Sequence, residues 1–194
     1  ILHQNADVYE ESIYGEPPQI AIWIEEPRNG ATQTVYVTRK SGTGTFEGKK
    51  NVPVALPYWF QAYRKSTGRN DFPSPANPLP DAITGATTRG TILRELQIKK
   101  GSRWNYYIEV NVAGDFNESF PNYRSNGEMD PHGNGQPSLV YRGEIVAEPG
   151  RKSAPVLLGR TEQFFYSEKI YDKTDGITTA AQLLPFIEVV CTTI

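Results

Sequence analysis

The chain has 194 residues, with 20 basic and 22 acidic side chains and a formal net charge of −2. Interspersed charge this close to balance gives no electrostatic case for binding nucleic acid or an anionic membrane surface. No run of about 18 apolar residues is present to span a bilayer, and a single cysteine, Cys191, excludes an intrachain disulfide.

The length suits one domain with a core that needs no metal or disulfide staple. Pro 15, Gly 17 and Tyr 11 against Met 1 and Cys 1 favour many short strands joined by turns. Scarce Cys and Met, with abundant Tyr, Thr, Asn and Pro, fit a protein working outside the cytoplasm.

Residues 1–18 are polar, end in Pro17-Pro18 and read as an N-terminal arm; 19–194 read as one domain. In Gln19 to Glu26, Ile20, Ile22 and Ile24 share one face at period two, which predicts a strand. Pro27-Arg28-Asn29-Gly30 is a turn, and Thr34 to Arg39 returns as the second strand of a hairpin. Residues 41–50, rich in Gly, Thr, Lys and Ser, read as a mobile loop. Leu56 to Lys65 reads as a short helix with Pro57 in its first turn. Four prolines in 66–80 predict an irregular connection.

Thr91 to Ile98 fits strand or helix equally. Trp104 to Val112, aromatic and β-branched, predicts a strand. The polar segment from Ala113 to Gln136 is a loop long enough to carry function. Pro137 to Val146 and Val156 to Gly159 read as strands, Asp175 to Leu184 as a short capped helix, and Pro185 to Ile194 as a closing strand. Cys191, in that alternating pattern, reads as a small buried side chain. Many strands, one or two short helices and no βαβ alternation predict a mainly β protein. The expected architecture is an antiparallel β-sandwich, immunoglobulin- or fibronectin-like, with long loops.

Several chemistries are poorly supplied. A serine or cysteine nucleophile needs a base, and the only histidines are His3 and His132. No G-x-S-x-G elbow, P-loop or G-x-G-x-x-G fingerprint occurs. Glu109, Asp115, Glu118 and Asp130 are carboxylates for a glycosidase pair, beside many Tyr and Trp that suit sugar rings. Asp115, Asn117, Glu118 and Asp130 also crowd oxygen ligands into one loop, as calcium requires, though without EF-hand spacing. The plain alternative for all of them is a polar loop held by side chain to backbone bonds. Tyr58, Trp59 and His132, with the 113–136 loop, make the candidate surface for a protein partner or self-assembly.

The segment Asp81-Ala82-Ile83-Thr84-Gly85-Ala86-Thr87 resembles the threonine flavinylation site of FMN-binding domains in sodium-pumping quinone reductases and related electron-transfer complexes. That resemblance implies FMN esterified to Thr87, with Asp81, Thr84 and Gly85 around it. The following Thr88-Arg89-Gly90 departs from the usual continuation. The local alternative is a tight turn at Gly85 with threonine hydroxyls on backbone groups.

A broader resemblance runs through Ile22-Trp23-Ile24-Glu25, Thr34-Val35-Tyr36-Val37, Leu56-Pro57-Tyr58-Trp59 and Asp81 to Thr87. It continues through Tyr107-Ile108-Glu109-Val110-Asn111, Asp115-Phe116-Asn117 and Gly135 to Tyr141. In this order the chain is similar to the bacterial family of predicted periplasmic proteins called domain of unknown function 2271. The family implies export and a sandwich-like fold, and supplies no catalytic residue. Together these readings favour a periplasmic or extracellular binding or assembly subunit with no resident cofactor. The alternatives are an FMN protein modified at Thr87 and a carbohydrate-binding module or glycosidase.

Overall fold

The structure, a computed structural model, describes residues 1–10, 17–46, 52–79, 84–85 and 90–192, the pair 84–85 by backbone alone. Its elements in chain order are β1 (Leu2–His3), α1 (Asp7–Glu10), β2 (Gln19–Glu25), β3 (Thr32–Thr38), α2 (Arg39–Thr43), α3 (Pro57–Thr67), β4 (Thr84–Gly85) and β5 (Thr91–Ile92). They continue as β6 (Arg103–Asn111), β7 (Leu139–Val146), β8 (Lys152–Ser153), β9 (Val156–Arg160), α4 (Thr179–Leu183), β10 (Phe186–Ile187) and β11 (Val189–Val190).

One sheet of six strands, ordered β4-β3-β2-β6-β7-β9, forms the centre. Its pairings are antiparallel except β3 with β4, which is parallel. The β2–β3 hairpin turns where its sequence predicts. Gly30 takes φ 69° and donates to Glu26 O, and Asn29 Oδ1 accepts the Ala31 N–H.

Both faces of this sheet are covered, which is why β6 is buried from Asn105 to its end rather than on alternate residues. On one face Ile20, Ile24, Tyr36, Ile108 and Val110 pack with Leu2, Tyr9, Ile92 and Leu183. On the other, Ala21, Trp23, Val37, Tyr107 and Val140 pack against Leu56, Trp59, Phe60 and Tyr63. In α3 the i, i+4 pair Trp59–Tyr63 and the i, i+3 pair Phe60–Tyr63 turn one stripe onto the sheet. Gly68, at φ 68°, ends the helix by donating to Arg64 O.

The protein is mainly strand, in antiparallel sheets, with four short helices among the described residues. The expected second large sheet has no counterpart there. The layer that carries Leu2 and Ile92 is a three-stranded sheet, β10-β1-β5, of two-residue strands, helped by α1 and α4.

Residues 1–10, the described start of the segment read as an N-terminal arm, pack onto the domain. β1 pairs with both β5 and β10, and Leu2 and Tyr9 are core residues. Leu2 follows Ile1 and Tyr9 follows Val8, pairs too short to mark a strand or a helix in the sequence. The predicted closing strand is broken into β10 and β11, which pair with different partners, β1 and β8. Within the predicted loop 41–50, Ser41 to Thr43 finish α2, and 47–50 lie outside the described residues. No helix among the described residues is long and apolar enough to cross a membrane.

Gly159 is the tightest backbone approach at the edge of the sheet. It has φ 150°, and a Cβ there would lie 2.3 Å from Tyr171 O, which accepts the Arg160 N–H at 2.8 Å. Gly159→Ala is expected to cost about 2–4 kcal/mol in urea unfolding. Gly30→Ala, with open space around its Cβ, should cost about 1 kcal/mol.

Candidate functional site

Strand alternation places Glu109 of β6 on the α3 face, between Ala21 of β2 and Val140 of β7, at 0% exposure. The helix above it begins with Leu56 at the cap position, which offers no side-chain acceptor, and with Pro57. The next N–H groups are therefore orphaned unless something else accepts them. Glu109 does so: Oε2 accepts the Trp59 N–H at 2.6 Å and Oε1 the Tyr58 N–H at 3.3 Å. Oε1 also lies 2.6 Å from Ser138 Oγ, which in turn lies 2.7 Å from Thr161 Oγ1. Burial pushes the Glu109 carboxyl up to about 7, against the pull of the Ser138, Trp59 and Tyr58 donors. Among the described residues Glu109 has no ion-pair partner.

A second buried polar centre lies at the end of β6. Gln136 gives its N–H to Asp115 Oδ1 and its side-chain amide to Asp115 O, Thr178 Oγ1 and Thr179 Oγ1. Its side-chain oxygen accepts the Thr178 N–H, and its carbonyl accepts Asn111 Nδ2. One glutamine thus joins β6, both ends of the 113–136 loop and the start of α4. Asp115 is 7% exposed, and burial raises its carboxyl to about 7 against the Gln136 N–H bond.

The remaining oxygen ligands of the loop are turned to local backbone. Asp130 accepts the His132 and Asn134 N–H groups, and Asn117 accepts Phe120 N–H while donating to Gly176 O. Glu118 is exposed. No group of three His, Cys, Asp or Glu able to hold a metal ion occurs among the described residues. Asp115, Asn117, Glu118 and Asp130 are therefore not brought together as a ligand shell.

Of the residues expected at a partner surface, Trp59 is 2% exposed, with its indole N–H on Thr34 Oγ1. Its ring is core because α3 lies flat on the sheet. Tyr58 is half-buried, its ring against Trp23 and Tyr107. His132 is half-buried in the loop. In the threonine motif, Thr84 and Gly85 form β4 at the rim of the sheet, paired with Val37 and Thr38. Asp81 and Thr87 lie outside the described residues. Cys191 is half-buried, with its thiol on Val146 O, at a cleft of ≈ 140 Å³ that Ile145, Lys152 and Val189 also line.

Within the 113–136 loop, which the sequence offers as part of a partner surface, a small hairpin exposes residues that the sequence reading did not single out. Tyr123 and Met129 bridge across a turn at Gly127, and are 55% and 59% exposed. Phe165, 56% exposed, has the Arg124 guanidinium 4.5 Å from its ring centre. The signal for it is Asn126-Gly127, a strong hairpin turn with an apolar residue on each side.

No family model, no curated protein and no solved structure matches the chain.

The two raised carboxyls have a consequence for stability. Their ordinary values are 4.5 and 3.8, so above that range the unfolded chain releases protons that the folded chain retains up to about 7. Their contribution is fully present at low pH and is lost as pH rises to about 7. The urea midpoint at about pH 8 should be lower than at about pH 5.5 by the equivalent of a few kcal/mol, and Glu109→Gln should flatten the slope. A higher midpoint at about pH 8 would contradict this assignment.

Proposed function

We propose that the protein is a non-catalytic binding or assembly subunit that works in the periplasm or outside the cell. The observation that carries this reading is the exposure of Tyr123 and Met129 on the hairpin of the 113–136 loop, and of Phe165 against its Arg124. Aromatic residues, Met and Arg are the side chains enriched at interfaces. The patch is also held firmly. Arg124 N–H donates to Glu128 O, Gly127 N–H to Arg124 O, and Asp130 N–H to Asn122 O. An ordered apolar patch loses little conformational entropy on binding. Placement outside the cytoplasm draws its support from the residue composition and from the resemblance to the predicted periplasmic family. On the same reading, the β10-β1-β5 sheet and the six-stranded sheet are the two leaves of a reduced sandwich, with Leu2 and Ile92 supplying the shared core.

A second reading keeps covalent FMN. Its support is the position of Thr84 and Gly85 at the rim of the sheet, an edge rather than the centre. On this reading Thr87 carries the flavin as a phosphate ester.

Native mass spectrometry of protein purified from its own source should find it in a stoichiometric complex or a defined oligomer. The double change Met129→Ser with Phe165→Ser should weaken that assembly at least about tenfold while leaving the urea midpoint in place. A monomer with no partner sinks the binding reading. The intact mass of the same material tests the other one: an increment of one esterified FMN supports it, and an unmodified mass removes it.

A further inference from the structure

Glu109 is buried with no cation to balance it among the described residues, and its neighbours can serve a proton. With a hydrogen on Oε1, the acid donates to Ser138 Oγ at 2.6 Å, and Ser138 passes its own hydrogen to Thr161 Oγ1 at 2.7 Å. Oε2 meanwhile keeps the Trp59 N–H. The neutral acid thus has a donor site and an acceptor site filled. The ionised form must accept every one of these bonds while sharing its core with Ala21, Val37 and Val140, with none of its surface exposed to solvent.

The charged and titratable groups around it are committed elsewhere. From β7, Arg142 holds Asn105 Oδ1; from β2, Glu25 is paired with Lys65; Asp115 is on Gln136. Tyr58 of α3 and Tyr107 of β6 present phenols that burial keeps neutral.

We infer that Glu109 is a proton-held latch on α3: protonated, it closes the first turn of the helix onto the sheet, and losing the proton loosens that turn. Lifting Tyr58 and Trp59 gives the carboxylate water, and with water its ordinary acidity of 4.5 in place of about 7. Opening is therefore favoured as pH rises between those values, by up to roughly three-hundredfold. What opens is the edge of the aromatic layer where Leu56, Trp59, Phe60 and Phe72 line a narrow cleft. The pH of the surrounding compartment then sets how much of that layer is available.

The test is amide hydrogen exchange at Tyr58 and Trp59 in the whole chain from about pH 5.5 to about pH 8, corrected for intrinsic rates, with Val110 as the reference for global opening. The opening ratio of the two α3 amides should rise roughly thirtyfold over that range and stay above the ratio at Val110, whose global opening carries the titration of Asp115 as well. Its midpoint should coincide with the titration of the Glu109 carboxyl carbon followed by NMR. Glu109→Gln, which matches the neutral acid in shape and bonding, should be flat, and Asp115→Asn should keep the rise. A flat wild-type profile, a Gln variant that keeps the rise, or a carboxyl that titrates at its ordinary value overturns the latch. Should Glu109→Gln not fold, the wild-type exchange and carbon titration decide by coinciding or failing to coincide.

Discussion

The carboxyl group of Glu109 meets α3 at the point where a helix most needs an acceptor. Leu56 and Pro57 bring no capping oxygen, and the helix start is pressed onto a sheet where water cannot serve. A strand 50 residues away in sequence fills the gap, through Glu109 and the Trp59 N–H. Orphaning a buried donor costs about 1–3 kcal/mol. This contact therefore decides whether α3 can lie with Trp59, Phe60 and Tyr63 against Ala21, Trp23 and Val37. The aromatic layer on that face depends on it.

The same end of the sheet is polar for a reason of connectivity. Glu109, Asn111, Gln136, Ser138 and Thr161 are all buried, and their bonds run from one element to another. Gln136 ties β6 to the loop and to α4; Ser138 and Thr161 tie β7 to the chain leaving β9. Apolar packing would tolerate sliding between these segments. Directional bonds in a dry interior do not, because any slip leaves a polar atom without a partner. That fixes the roots of the 113–136 loop and allows the hairpin at its tip to present Tyr123 and Met129 on a steady base.

The carboxylates of the long loop show how a suggestive composition resolves. Asp115, Asn117 and Asp130 look like a ligand set when read along the chain. Each is instead used by backbone: Gln136, Phe120, and His132 with Asn134 respectively. A loop of this length needs partners for its own N–H groups, and short acidic and amide side chains are the nearest acceptors.

The strands β2, β3, β6 and β7, the helix α3 with Pro57 in its first turn, and the turn at Gly30 were legible because each is decided by neighbours in sequence. Period-two alternation, β-branched residues, a ring-locked φ and a glycine with φ > 0 are local causes. What covers the sheet was not legible. Ile1-Leu2 and Val8-Tyr9 are apolar pairs too short to mark an element, and only the fold shows that β1 lies between β5 and β10. Nor does any pattern mark Glu109 as a buried group. In sequence it is one carboxylate in an alternating strand, and the orphaned N–H groups that hold it belong to a distant helix. The chain by itself determined which segments extend and where they turn, since those are matters of backbone sterics. Only the tertiary structure decided which polar groups are sealed from water, because burial is a property of what packs on top.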